Sequence, residues 1–151
     1  MPDPLAGRRV ALIGGAGFIG HNLALALAER GAEPHIIDSL QVNSLGAFSN
    51  ASGDASKTLY LHLIYERLDA LHRANIPLHV IDARDYHMLS RCLADVKPDA
   101  IVQLAAIAHA NRANKDPFST FDHSFRTLEN ALDFAREEKA HFIYFSSSMV
   151  Y

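Results

Sequence analysis

Residues 11–22 read ALIGGAGFIGHN, an apolar run broken by Gly14, Gly15, Gly17 and Gly20. Three readings compete for such a stretch: a secretory signal, a membrane span, or a turn joining a strand to a helix. Arg8 and Arg9 precede it, no charged side chain interrupts Val10 to Ala28, and Ala24-Leu25-Ala26 has the small-residue pattern of a cleavage site. A span needs about 20 predominantly apolar residues to cross the hydrocarbon, but His21, Asn22 and the glycines break this one. The pattern also changes partway. Arg9 to Ile13 is a short apolar run with the look of a buried strand. Phe18 to Arg30 carries apolar residues at 18, 19, 23, 25, 26 and 27, and Gly31 follows as a helix stop. Strand, glycines, helix is the order a nucleotide-binding turn requires.

The glycines satisfy two templates, G-x-G-x-x-G from Gly15 and G-x-x-G-x-x-G from Gly14. The first of them admit backbone torsions closed to residues with a Cβ, so the chain can turn sharply off the strand. Gly17 lets the backbone approach a pyrophosphate, whose charge is met by N–H groups at the helix N-terminus. Gly20 permits close packing of the helix against the sheet. A glycine motif alone is weak evidence. A second strand ending in an acid strengthens it: Pro34 to Ser39 reads PHIIDS, and Asp38 lies where a carboxylate accepts hydrogen bonds from both hydroxyls of an adenosine ribose. The same carboxylate repels a 2′-phosphate, and no arginine follows it closely, so NAD is favoured over NADP. The alternative for Asp38 is a cap at a strand end or turn.

Composition narrows the rest. The chain has 151 residues, 49% hydrophobic and 21% charged, which predicts one domain with a buried core. A net charge of −3 with scattered basic residues points away from nucleic acid and from an anionic membrane. Cys92 is the only cysteine, which predicts a reducing, cytoplasmic location, and the nine histidines form no metal-ligand spacing, so no metal is expected.

Along the remainder, 43–58 reads as a polar surface loop and 59–74 as an amphipathic helix. Pro77 to Ile81 reads as a third strand, Tyr86 to Ala94 as a helix, and Ala100 to Ala106 as a fourth strand, apolar except at Gln103. Pro117 opens a long helix to about Glu138, and His141 to Ser146 is a fifth strand. This alternation predicts an α/β, Rossmann-type doubly wound parallel sheet, with strands 1 to 3 on one side of a switch point, strands 4 and 5 on the other, and ligand at their carboxyl ends.

Candidate functional residues therefore cluster at strand ends. Asp82 is placed to accept a hydrogen bond from an adenine amino group, or else it caps a helix, which Asp85 can do equally well. Leu104, Ala105 and Ala106 are small enough for backbone to approach a cofactor, or are simply core. Ser146, Ser147 and Ser148 are turn formers, or hydroxyls that polarise a substrate oxygen.

Taken together, GGAGFIG, IIDSL, DARD, PDAIVQLAA, NKDP, RTLENAL and FSSSMVY resemble, in order and spacing, the extended short-chain dehydrogenase/reductases. The chain is most similar to their NAD-dependent epimerase/dehydratase branch, which acts on nucleotide sugars, from Arg9 to Tyr151. The resemblance implies that Gly14, Gly17, Phe18 and Ile19 sit at the pyrophosphate, Asp38 at the ribose, Asp82 and Ala83 at adenine, and Leu104 to Ala106 along the cofactor. Gly15, Gly20, Ser39 and Ser146 complete the implied cofactor-binding set. Ser147 matches the catalytic Ser/Thr that hydrogen-bonds the reacting oxygen. His123 stands where the family commonly has asparagine, and Arg126 where it commonly has glycine, so the usual helix contacts are not carried over. The segment 43–75 looks longer than is common.

The family's chemistry also runs through a tyrosine with a lysine four residues on, and none of Tyr60, Tyr65, Tyr86, Tyr144 and Tyr151 has that partner. The resemblance therefore implies a chain (1–151) that is the N-terminal, cofactor-binding part of a longer enzyme, truncated after about five strands. The substrate lobe would lie elsewhere, the fifth strand would be left as an open edge, and the fragment would bind NAD without catalysing. The parent is expected to be a homodimer acting on a small-molecule nucleotide sugar. A reductase or dehydrogenase of a non-sugar carbonyl, or a non-catalytic dinucleotide sensor, remain as alternatives.

Overall fold

The computed structural model describes residues 3–42, 44–46, 54–106 and 115–146. In chain order the elements are β1 (Arg9–Ile13), α1 (Phe18–Glu29), β2 (Glu33–Asp38), α2 (Ala55–Arg73), β3 (Leu78–Val80), α3 (Tyr86–Val96), β4 (Ala100–Gln103), α4 (Pro117–Phe121), a π-helical turn (Asp122–Arg126), α5 (Thr127–Glu138) and β5 (His141–Tyr144). The strands form one sheet in the order β3-β2-β1-β4-β5, every pair parallel. This is the doubly wound order expected from the alternation. The switch point falls between β1 and β4, where the chain crosses from one half of the sheet to the other.

Strand residues alternate between two apolar layers because successive side chains point to opposite faces. Ala11, Ile13, Ile37 and Ile101 face α3 and α5, where they meet Leu89, Leu93, Ala131 and Phe134. Val10, Leu12, Ile36 and Val102 face the other way, against Ala24 of α1 and Leu71 of α2. Leu12, Ile13, Ile36, Ile37 and Ile101 are wholly buried, each worth roughly 1.5–3 kcal/mol relative to exposure. Burial on both faces explains why these strands read as continuous apolar runs.

Caps account for most differences from the expected boundaries. The helix expected over 59–74 begins at Ala55, because the Asp54 carboxylate accepts from the amides of Ser56 and Lys57. Tyr86–Val96 outruns its expected end and stops where Lys97 adopts φ +50° before Pro98. β4 ends at Gln103 instead of Ala106, since the amides of Leu104 and Ala105 both turn back to the carbonyl of Ile13. The long helix from Pro117 is interrupted by the π turn, where Thr127 Oγ1 donates to the carbonyl of His123 at 2.8 Å. β5 ends at Tyr144 and lies at the edge of the described sheet, with Ile143 and Tyr144 exposed.

Candidate functional site

The glycine turn follows β1 directly. Gly14 has φ +80°, and a Cβ there would fall 2.7 Å from the amide nitrogen of Ala105, so torsion and contact both demand glycine. Gly20 is required for a different reason: its Cβ would lie 2.5 Å from the Cα of Gly15, inside the turn's own backbone. The nearest approach at this glycine is to the turn itself. Gly17 is the N-cap of α1 and provides no side-chain cap, so no capping side chain covers the first turn.

The turn is tied to the neighbouring strand by Asp38. Its Oδ2 accepts from the Ala16 amide at 3.0 Å and its Oδ1 from the Leu40 amide at 2.8 Å. Burial pushes this carboxyl above the ordinary aspartate range, and the two amides and the Arg67 charge only partly offset that. Asp38 thus has the turn-holding role offered as its alternative, and it also lines the cavity.

That cavity, about 390 Å³, opens at the carboxyl ends of the strands. Gly14, Gly17, Phe18, Asp38, Ser39, Asp82, Ala83, Ala105 and Ala106 all line it, which brings together most of the candidates named from sequence. Gly15 and Gly20 are buried within the turn, and Ile19 is exposed beside it. Leu104 packs into the α1/α2 core layer, so its side chain belongs to the structural alternative. Ser146 is exposed and outside the cavity lining, and Ser147 and Tyr151 lie outside the described residues.

At the adenine end, the choice between Asp82 and Asp85 as the helix cap is settled by geometry: Asp85 Oδ1 accepts from the Met88 amide at 3.0 Å. Asp82 is held by Arg84, whose Nε donates to Oδ1 at 3.0 Å and whose Nη1 reaches Asp122 Oδ2 at 3.1 Å. The guanidinium keeps the Asp82 carboxyl below the ordinary range. Buried Asn130 on α5 fastens the same loop, donating to the carbonyls of Ala83 and Arg84 at 2.9 and 3.1 Å.

Sequence reasoning missed Gln41, Tyr60, Arg67, His123 and Thr127, all on the cavity wall. His123 links its own helical segment to the loop after β2, with Nδ1 2.8 Å from the Ser119 carbonyl and Nε2 3.1 Å from Gln41 Oε1. Tyr60 and Arg67 come from α2, two turns apart on one face, and that spacing was a signal present in the sequence. Arg126 stays outside, exposed and paired with Asp122 at 2.6 Å. Among the described residues, no group of three or more His, Cys, Asp and Glu is placed to hold a metal, and no helix is long and apolar enough to cross a membrane.

The family model of the NAD dependent epimerase/dehydratase family matches residues 10–151. The chain belongs to that family. It is 31% identical over 120 residues to a UDP-glucose 4-epimerase of Rhizobium leguminosarum bv. trifolii, covering 80% of this chain and 29% of that protein. It is 28% identical over 144 residues to protein CapI of Staphylococcus aureus, covering 95% of this chain and 39% of that one. Among solved structures, a UDP-glucose-4-epimerase from Stenotrophomonas maltophila with bound NAD and formylated UDP-arabinopyranose superposes with a TM-score of 0.72 at 23% identity, over 95% of this chain and 38% of that chain. That likeness shows the fold. This epimerase/dehydratase chain spans under two-fifths of the length of these relatives.

Proposed function

We propose that the chain is the NAD-binding part of a nucleotide-sugar epimerase or dehydratase, and that the whole protein moves a hydride between a sugar carbon and the cofactor. The observation that carries this reading is the cavity at the strand ends, where Gly14 and Gly17 expose backbone at one end and Asp38 presents a carboxylate beside them. These residues fit a dinucleotide. A Cβ on Gly17 would meet nothing nearer than the Gly14 carbonyl oxygen at 3.4 Å, so the backbone there is open to a pyrophosphate.

In this reading the first amides of α1 hold the pyrophosphate, Asp38 accepts from the ribose hydroxyls, and Asp82 and Ala83 flank adenine. NAD, when bound, supplies the hydride acceptor. Ser147 hydrogen-bonds the reacting oxygen, and a tyrosine paired with lysine, which these 151 residues lack, exchanges the proton. The 1–151 chain is accordingly proposed to bind NAD without turnover. The protein is also proposed to act as a homodimer, a reading supported by exposed Phe118, Phe121 and Phe125 on one helical face.

Isothermal titration of NAD tests the cofactor assignment: micromolar or tighter binding, weakened by Asp38→Ala, is expected. Incubation of the whole protein with a UDP-hexose and NAD, with products resolved by chromatography, tests the reaction. An unchanged sugar alongside tight NAD binding would leave a dinucleotide sensor as the better reading.

A further inference from the structure

The segment between β2 and β3 contributes a cation to the adenosine end of the cavity. α2 packs Ile64 and Leu71 into the protein and turns Tyr60 and Arg67 onto the cavity wall. Arg67 Nη1 donates to the carbonyl of Ala16 at 3.2 Å. The amide of the same residue donates to Asp38 Oδ2 at 3.0 Å. Ala16 is thus gripped from both sides, with a guanidinium and a carboxylate brought to one end of one cavity. The two groups interact, since the Arg67 charge lowers the Asp38 pKa against the effect of burial.

An acid at this position selects a free ribose, and an arginine nearby accommodates a 2′-phosphate. Here both are present, the arginine supplied from a helix remote in sequence. We propose that Arg67 is a specificity-determining residue, whose guanidinium sets how strongly the Asp38 carboxylate excludes a 2′-phosphorylated adenosine ribose. The inference rests on the dinucleotide reading of this cavity.

A guanidinium is a strong partner for phosphate because its fork matches two oxygens. With Asp38 intact, the carboxylate opposes that partnership and NAD is preferred. Replacing Asp38 with a neutral isostere leaves Arg67 in place and uncovers its preference.

The test measures dissociation constants of NAD and NADP for the purified protein and for Arg67→Gln, Arg67→Lys, Asp38→Asn and the Asp38→Asn/Arg67→Gln pair. Circular dichroism melts check that each variant is folded. Arg67→Gln is expected to weaken NADP on the order of tenfold more than NAD, as loss of a charge-assisted contact implies. Asp38→Asn should shift the ratio towards NADP, and the double variant should lose most of that shift. Arg67→Lys, which keeps the charge and loses the fork, should give a ratio between wild type and Arg67→Gln, and serves as the folded variant if the glutamine form is unstable. An equal loss for NAD and NADP in Arg67→Gln, or a double variant that keeps the whole Asp38→Asn shift, overturns the proposal. Wild-type protein that binds neither dinucleotide overturns the cofactor reading and this inference with it. Binding of NAD with an unmoved ratio overturns this inference alone.

Discussion

The amide of Ala16 donates to Oδ2 of Asp38 at 3.0 Å, so the glycine turn and the end of the adjacent strand are one unit. The carboxylate proposed to select the cofactor therefore also shapes the loop proposed to hold its pyrophosphate. Removing the carboxylate has two expected consequences: Ala16 and Leu40 lose an acceptor, and in the proposed NAD complex the ribose loses its partner. Asp38→Ala is expected to weaken NAD about tenfold or more and to lower stability by about 1–3 kcal/mol, the usual range for leaving buried donors unpaired. Titration calorimetry and urea denaturation of the same preparation separate the two effects.

The same carboxyl gives a pH signature. Its folded pKa is raised above the ordinary value of 3.8, chiefly by burial. The folded state then binds more protons than the unfolded state in the interval between the two values, so this group's contribution to stability declines as pH rises through that interval and is flat above it. Asp3, Asp54, Asp82 and Asp99 are lowered and contribute in the opposite sense, below the ordinary value. The wild type minus Asp38→Asn difference isolates the one site. Urea unfolding at half-unit pH steps should show Asp38→Asn gaining relative stability as pH rises through that interval. A difference independent of pH would rule out the raised pKa.

The fold was legible because its signals are local and repeated. Val10, Leu12, Ile36 and Ile37 are apolar on both faces of buried strands, and the glycines mark where the first strand must turn. The site was legible only where it hangs on those strand ends, at Gly14, Asp38, Asp82 and Ala105. Arg67 and His123 reach the cavity through helix packing and through a π turn, and neither leaves a short-range pattern beside the glycines. Leu104 divides between the two readings: side-chain alternation at the strand end sends its side chain into the core, which leaves only its backbone for the cofactor role that the resemblance implies.

Asn130 gives a stability prediction remote from the glycines. Its side-chain nitrogen donates to the carbonyls of both Ala83 and Arg84 from a position 8% exposed. Asn130→Ala strands both carbonyls and releases the loop that carries Asp82. A loss of about 2 kcal/mol is expected, the scale of a broken buried polar contact. Asn130→Asp should be worse, because it turns an acceptor towards two acceptors. Chemical denaturation of the three proteins checks the order.

The exposed aromatic face makes the assembly reading testable. Phe121 and Phe125 stack with ring centroids 4.8 Å apart and are 62% and 59% exposed. If a second copy covers them, Phe121→Glu with Phe125→Glu places charge in an apolar interface and should shift the whole protein from dimer to monomer, with a roughly hundredfold or larger loss of dimer affinity. Sedimentation velocity reads this directly. An unchanged dimer would place the interface on another face.

Gly17 and Gly20 look alike in the glycine pattern, but their different surroundings should separate folding from binding. Gly17 has φ −72°, which any residue adopts, and its added Cβ would touch only the Gly14 carbonyl oxygen, at 3.4 Å. Gly17→Ala is therefore expected to cost under about 1 kcal/mol in stability, within the range of a helix-cap change. It should still weaken NAD about tenfold or more, because the methyl group stands where the pyrophosphate must approach the backbone. Gly20→Ala forces a methyl group into the backbone of Gly15, which cannot move without opening the turn. Its expected cost is about 3 kcal/mol or more, at the upper end for overpacking. Thermal melts should thus rank Gly20→Ala far below Gly17→Ala, while titration shows NAD binding impaired in both. A Gly17→Ala protein that binds NAD like the wild type would move the pyrophosphate away from the α1 N-terminus.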